Sequence, residues 1–461
     1  MKIEEAISNA FDILSSRHNA QDGIDCILKL LVLKKLSDLP EAQQNHKEIL
    51  ISDKARWKFI RNNENIRNAL QNASLDIKQK NPNLEALFIE SDSEYWDKFS
   101  DEILNSLFDL FSMIDFSESS SGSLKEISLA LEALLSIDRL ESSSNYTPNS
   151  ISEIMIRVIS PERTHTICDP ECGSGSILTS AFRHALEGLK DQSNKMIYGQ
   201  SSSHRNVAIA NASLILQGYS EANIKLGNSL TKPAFPLNKF DCVVCNPPFN
   251  IKLSKKEITE IVELERFPYG IPRNRNANFL FIQNILSLLS STGKATVIQP
   301  GRVLSCEGDE KLIRENLVKD DVIEAIIQLP EKLFYRVSIP ANIIFINKDK
   351  TDKRKGKIIF VDASNEYVEG RKQNWLSDEN INEIVSIVRN FKDIEGSAKV
   401  VGIQEISDNF YDLGSYRYIS YPREAEIDPV SEVSKLRKLE AERSVLARDI
   451  DECLRVLGID I

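Results

Sequence analysis

Two kinds of apolar spacing divide the chain. From Glu4 to about Leu140, apolar residues recur at three- and four-residue intervals: Ile24, Ile27, Leu28, Leu31 and Val32 form one stripe, and similar patterns follow around Ile103 to Ile114 and Leu124 to Leu135. This predicts an all-α N-terminal domain over residues 1–140. After Tyr146 the text changes to short β-rich runs: THTICD, KMIYGQ, NIKLGNS, FDCVVCN, KATVIQP, DVIEAIIQLP and ANIIFINK, with helices predicted over 177–189, 206–217 and 278–289. Such alternation predicts an α/β fold with a mostly parallel central sheet, over 146–421. The Ser-rich stretches SESSSGS (117–123) and ESSSN (141–145) read as punctuation, the second as a boundary. From Pro429 onward Val433, Leu436, Leu439, Leu446, Ile450, Cys453 and Leu457 form a seam that Arg443 interrupts. That predicts a coiled-coil-like helix over 429–461, packed on the chain's own body or paired with a partner.

Composition narrows the class. The 461 residues are 41% hydrophobic and 27% charged, enough for two to four domains at ~150 residues each and unlike collagenous, disordered or disulfide-scaffold chains. The first residues, MKIEEAISNAFDIL, are acidic where a secretory signal is basic, and the longest apolar stretches fall short of the ~20 residues that span a bilayer. A cytoplasmic protein with no membrane partner is expected. Seven cysteines in mostly apolar runs fit reduced thiols, and Cys242-x-x-Cys245, inside FDCVVC and without a second pair, reads as a buried strand, not half a zinc knuckle. With 57 basic against 68 acidic side chains the formal charge is −11, which argues against solitary binding to a polyanion.

Two motifs carry chemistry. Asp169-Pro170-Glu171-Cys172-Gly173-Ser174-Gly175-Ser176 follows the strand HTIC and precedes a helix, so a tight Gly-rich turn brings backbone close to a ligand. It has neither GxGxxG nor GxxxxGK[ST] spacing, which favours a phosphate-poor ligand such as S-adenosylmethionine; as a bare pattern it is also an ordinary strand-to-helix joint. Asn246-Pro247-Pro248-Phe249 follows the strand FDCVVC. Two prolines stiffen the turn, so the Asn side-chain oxygen and the Pro247 carbonyl can stand as two fixed acceptors for an exocyclic amine, while Phe249 stacks on its base, a contact worth ~1–3 kcal/mol.

With these motifs the chain resembles the gamma-class amino-methyltransferases, and more closely the modification (M) subunit of type I restriction-modification systems, which methylates adenine in DNA. The resemblance runs through QDGIDCILKLLVLKKLSD (21–38), Tyr146-Thr147-Pro148, DPECGSG, NANFLFIQNIL (276–286), IQPGRVL (298–304), LPEKLFYRVSIPANIIFINK (329–348) and KIIFVDAS (357–364), in order. It implies a Rossmann-like S-adenosylmethionine-dependent methyltransferase core, with the C-terminal helix docking on a separate DNA-specificity subunit. Carried over by position, Tyr146, Thr147 and Pro148 line the cofactor pocket, Asp169 and Gly173, Ser174 and Gly175 hold the methionine end, and Asn246, Pro247 and Phe249 hold the adenine. The family's ribose-binding acid is here Ser201, after Gly199-Gln200, and its adenine-binding Asp is Asn228. Ser201 or Gln200 can still reach a hydroxyl and Asn228 can still accept from an amine, without charge.

The implied substrate is double-stranded DNA with a flipped adenine. A restriction (motor nuclease) subunit is a further candidate partner, and neither a metal nor a covalent intermediate is required. Lys252, Lys255, Lys256, Arg266, Arg273 and Arg275 after the catalytic turn are the local candidates for DNA contact, interleaved with four glutamates. The missing acids at Ser201 and Asn228 also allow a catalytically silent fold that serves assembly or DNA clamping. Asn-Pro-Pro-Phe likewise permits methylation of another exocyclic or amide nitrogen.

Overall fold

The computed structural model describes residues 2–38, 50–81, 84–88, 95–116, 121–138, 147–162, 165–186, 197–219, 223–334, 340–371, 373–421 and 429–456. The chain divides into two units, Met1–Ile419 and Ser420–Ile461.

The first unit opens with helices, among them Ile3–Ser15, Ala20–Asp38, Ile66–Lys80, Asp101–Ser112 and Ser121–Asp138. The Ser-rich stretch at 117–123 is therefore partly helical, its last three residues opening the helix Ser121–Asp138; residues 117–120 and 141–145 lie outside the described residues. The helix Ala20–Asp38 is the hub, buried on almost every side from Gly23 to Leu36. Its lysines are buried with partners: the Lys29 ammonium sits 3.2 Å from the centre of the Tyr95 ring, and Lys35 donates to the Phe116 carbonyl at 3.3 Å.

The rest of the unit is built on nine strands: β1 Ile167–Asp169, β2 Ile197–Ser201, β3 Asn223–Leu226, β4 Phe240–Cys245, β5 Leu289–Pro300, β6 Ile323–Gln328, β7 Ala341–Asn347, β8 Lys357–Asp362 and β9 Ala398–Gly402. They form one sheet in the order β3-β2-β1-β4-β5-β7-β6-β8-β9. Pairing is parallel from β3 to β5 and between β6 and β8, while β7 runs antiparallel to β5 and β6, and β9 to β8.

Both faces are covered, which is why these strands read as continuous apolar runs. Cys242 and Val244 of β4 pack with the helices Asn149–Ile159, Ser176–Leu186 and Asp378–Asn390, whereas Val243 and Cys245 pack with Asn278–Leu288 and Asp309–Lys319. The helix His204–Leu216 belongs to two cores. Its Leu214 packs with the first sheet face, while Ala208, Ile209, Ala212, Ile215 and Leu216 pack with the N-terminal helices, and Arg205 pairs with Asp25 at 3.0 Å. The N-terminal layer is thus packed on the helix that joins β2 to β3.

The strand order reverses between β1 and β4, the place where open α/β sheets bind ligands beyond their C-terminal edges. Both motifs emerge there.

The second unit contains the helix Pro429–Val456, with Val433, Leu436, Leu439, Leu446 and Ile450 each at least half exposed. Leu457 of the predicted seam lies outside the described residues. Among the described residues, no helix is long and apolar enough to cross a membrane.

Ile209 is 3% exposed at the shared core. Ile209→Ala should cost about 2–5 kcal/mol, read as a lower denaturant midpoint, and should raise amide exchange in the N-terminal helices as well as in its own helix.

Candidate active site

β1 ends on Asp169, and the turn that follows is closed by its own backbone. The buried Asp169 carboxylate accepts the Glu171 N–H at 3.0 Å, and Gly175 N–H donates to the Cys172 carbonyl at 2.8 Å. Gly173 and Gly175 have φ of 51° and 83°. A Cβ on Gly175 would stand 3.0 Å from Cβ and 3.1 Å from Cα of Ala210, so only glycine lets the turn lie against the helix His204–Leu216. Cys172 N–H donates to the Gln200 carbonyl at 2.9 Å, tying the turn to the end of β2 before the helix Ser176–Leu186 begins. Burial pushes the Asp169 carboxyl well above the usual range. Burial also lifts Glu171 to about 7, against hydrogen bonds from Ser229 that favour its charged form.

The ends of β2 and β3 complete the cradle. Gln200 is not available to a ligand hydroxyl: its amide donates to the Lys232 carbonyl at 2.8 Å and its oxygen accepts the Ala234 N–H at 3.0 Å, which corrects the expectation from sequence. Ser201 is buried, with its carbonyl accepting Gly227 N–H at 2.9 Å. The Asn228 side-chain oxygen accepts the N–H groups of Leu230 and Thr231 at 2.9 and 3.3 Å. Its acceptor capacity goes to its own turn, so what Asn228 offers a ligand is its amide NH₂, a donor.

On the neighbouring strand, β4 ends at Cys245 and the Asn-Pro-Pro-Phe turn begins. Asn246 is 7% exposed and its amide NH₂ donates to the Thr147 hydroxyl at 2.8 Å. That bond turns the Asn246 carbonyl oxygen away from Thr147 and keeps it as an acceptor. The half-buried Phe249 ring meets Phe334 edge-on, with centroids 6.4 Å apart and planes at 74°. Downstream, Asn278 holds the turn: its oxygen accepts Asn250 N–H at 2.9 Å and its NH₂ donates to the Asn250 side chain at 3.2 Å.

Comparison with known proteins decides the family. Residues 131–427 match the model of the N-6 DNA methylase family, and residues 3–111 match the HsdM N-terminal domain. The chain belongs to the N-6 DNA methylase family. The MjaVIII and MjaVII type I restriction enzyme methylase subunits of Methanocaldococcus jannaschii are 34% and 30% identical to it over 404 and 399 residues, 84% and 83% of this chain and 69% and 67% of theirs. The same fold is seen in the type I restriction-modification methyltransferase subunit of Streptococcus thermophilus, with a TM-score of 0.80 at 22% identity, covering 91% of this chain and 99% of that one. The reaction is methyl transfer to N6 of adenine in DNA, and S-adenosylmethionine is the methyl donor.

The residues of the methylase fit that donor. Asp169, Glu171, Ser174, Ser201, Asn228 and Ser229 bring acids, hydroxyls and an amide to the ends of β1, β2 and β3, with no lysine or arginine among them. Such a set suits a cation carrying ribose hydroxyls better than it suits a phosphate ester. Tyr146 lies outside the described residues, while Thr147 and Pro148 are buried ahead of the helix Asn149–Ile159.

Phe334 and Asn278 were not singled out from sequence, although both lie in stretches that carry the resemblance; an aromatic after LPEKL and an Asn opening NFLF were the signals available. Two of the cations expected to meet DNA have internal partners. Arg266 is buried and donates to the Phe235 carbonyl and to Asn284, so it is structural, and the Arg273 guanidinium is paired with Asp309 at 2.8 Å. Lys252, Lys255 and Lys256 remain exposed beside the turn.

Thr147→Val leaves the Asn246 NH₂ buried without its acceptor, which costs roughly 1–3 kcal/mol. Turnover should fall about 10- to 100-fold, with activity restored by Thr147→Ser.

Proposed function

We propose that Asn246, the Pro247 carbonyl and Phe249 hold the target adenine, and that Thr147, Pro148, Asp169, Gly173, Ser174, Gly175, Ser201 and Asn228 surround the methyl donor, in a modification subunit that works in the cytoplasm with a separate DNA-specificity subunit. One observation carries the reading. The Thr147–Asn246 bond fixes the amide so that an oxygen acceptor stands at the end of β4, next to the Gly-rich turn at the end of β1.

The chemistry follows from that placement. An adenine amine has two hydrogens; donating one to Asn246 and one to the Pro247 carbonyl turns the nitrogen lone pair out of conjugation with the ring. S-adenosylmethionine, when bound, would supply an electrophilic methyl group, the electron pair of the broken sulfur–methyl bond staying on sulfur in S-adenosylhomocysteine. Phe249 and Phe334 form an aromatic corner that receives the extruded base, offsetting part of the few kcal/mol that unstacking costs. The nitrogen is a poor base while its lone pair is delocalised, and these acceptors make it a nucleophile without a proton being removed first. The proton leaves to water after the new N–C bond has formed.

Gripping the duplex requires more positive charge than a chain of net −11 presents. The exposed apolar seam of the helix Pro429–Val456 supports docking on the specificity subunit, and a restriction subunit would join the same assembly.

In the reconstituted complex, Asn246→Ala should lower methylation of the recognition site at least about 100-fold, read by mapping methylated adenines; retained activity rules out the assignment. Leu436→Glu with Leu439→Glu should abolish co-purification with the specificity subunit while S-adenosylhomocysteine binding by the methylase chain persists. Co-purification at wild-type yield would place docking elsewhere.

A further inference from the structure

The donor's ribose lacks an acid at the end of β2. Ser201 stands there, with its carbonyl bonded to Gly227, and the adjacent Gln200 side chain is held by Lys232 and Ala234. Yet a carboxyl does reach this place from the neighbouring strand. Glu171 follows Asp169 in the β1 turn, and its side chain accepts the hydroxyl of Ser229, two residues after Gly227 at the end of β3. With the strands in the order β3-β2-β1, a side chain that runs from the β1 turn to the segment after β3 crosses the C-terminal end of β2. The turn lies flush on β2 here: Cys172 N–H bonds to the Gln200 carbonyl, and a Cβ on Gly199 would come within 3.0 Å of the Cys172 sulfur.

We propose that Glu171 replaces the missing β2 acid, accepting hydrogen bonds from the ribose hydroxyls of the methyl donor. This rests on the donor-binding role of the cradle proposed above. A carboxylate offers about four acceptor positions, and Ser229 occupies two through its hydroxyl and N–H, which leaves capacity for a vicinal diol. The fold alone gives no reason for an acid here. Among the described residues no lysine or arginine bears on it, and an isosteric amide would keep the Ser229 contact without the desolvation cost of the charge. The titratable groups around Glu171 are Asp169, Cys172 and Cys245, each pushed toward its neutral form by burial, so nothing nearby offsets its charge.

Three measurements on Glu171→Gln test the assignment. In the complex with the specificity subunit, calorimetry should show S-adenosylhomocysteine bound about 10- to 100-fold more weakly than by wild type, while the 2′,3′-dideoxyribose analogue binds both proteins alike. KM for the donor should rise while kcat at saturation is kept. Without ligand, the buried carboxyl binds more protons folded than unfolded between its ordinary range and about 7, so wild-type stability falls as pH rises through that window and Glu171→Gln escapes the loss. The variant should therefore melt higher than wild type at pH 8 and converge with it near pH 4.5.

Equal S-adenosylhomocysteine binding by variant and wild type overturns the proposal, as does an equal loss with the dideoxy analogue, tighter binding by the variant (Glu171 then being a plug), or a lower melting point at pH 8. Failure of the wild-type complex itself to bind S-adenosylhomocysteine overturns the donor-binding reading and this assignment with it.

Discussion

The site depends on one pairing, the parallel ladder between β1 and β4 that sets Ile167 opposite Cys242 and Cys168 opposite Val243. Some 75 residues separate these strands, yet the register brings Asp169 and Asn246 out at the same edge of the sheet, at the point where strand order reverses. A one-residue slip would turn every β4 side chain to the opposite face. Cys242 and Val244 would then meet the wrong helices, and the buried faces hold the register against that. The apolar run FDCVVC is therefore a positioning device for Asn246 as much as a piece of core. Asn246 in turn gets its amide orientation from Thr147, which precedes the helix Asn149–Ile159 covering β4 and β5. Three segments distant in sequence converge on one acceptor.

The N-terminal helices share that dependence. The helix His204–Leu216 meets the Gly175 turn at Ala210 and the N-terminal core through Ile209, Ala212 and Leu216. A displacement of the N-terminal layer is thereby a displacement of the wall against which the donor turn is set. Packed interiors have little room to absorb such a shift locally, so the helical layer and the cradle behave as one mechanical body.

The strands were legible because both sheet faces are buried, which leaves unmistakable runs such as FDCVVC and ANIIFINK. The runs read as strands stop at β7: β8 lies in KIIFVDAS, which entered only as a stretch of the resemblance, and β9 is not read at all, since AKVVG at the sheet edge is short, half-exposed and flanked by polar text. At the site, the two motifs stated which backbone turns matter, because prolines and glycines constrain φ whatever surrounds them. The partners of Gln200, Asn228 and Arg266 were not legible. A polar side chain's role is set by whichever backbone groups the fold places within hydrogen-bond reach of it, and those came from loops with no pattern of their own: Lys232 and Ala234 for Gln200, Leu230 and Thr231 for Asn228, Phe235 for Arg266. Glu171 was visible in the motif, but its reach across β2 to Ser229 depends on strand order, which spacing along the chain does not encode.

Charge then acquires a spatial meaning. The cradle at β1 to β3 holds the carboxyls of Asp169 and Glu171, both pushed toward their neutral form by burial, and no cation among the residues that form it, so it offers a phosphate no countercharge. Across the switch point, the segment after Phe249 presents Lys252, Lys255 and Lys256 to solvent beside the Asn-Pro-Pro-Phe turn. Three lysines, of which Lys256 lies 4.0 Å from Glu260, are too few to hold DNA against salt, where each neutralised phosphate contributes about one unit to the slope of log K on log salt. Strong binding then needs charge from the rest of the assembly, and in this chain the seam Val433, Leu436, Leu439, Leu446 and Ile450 stands exposed.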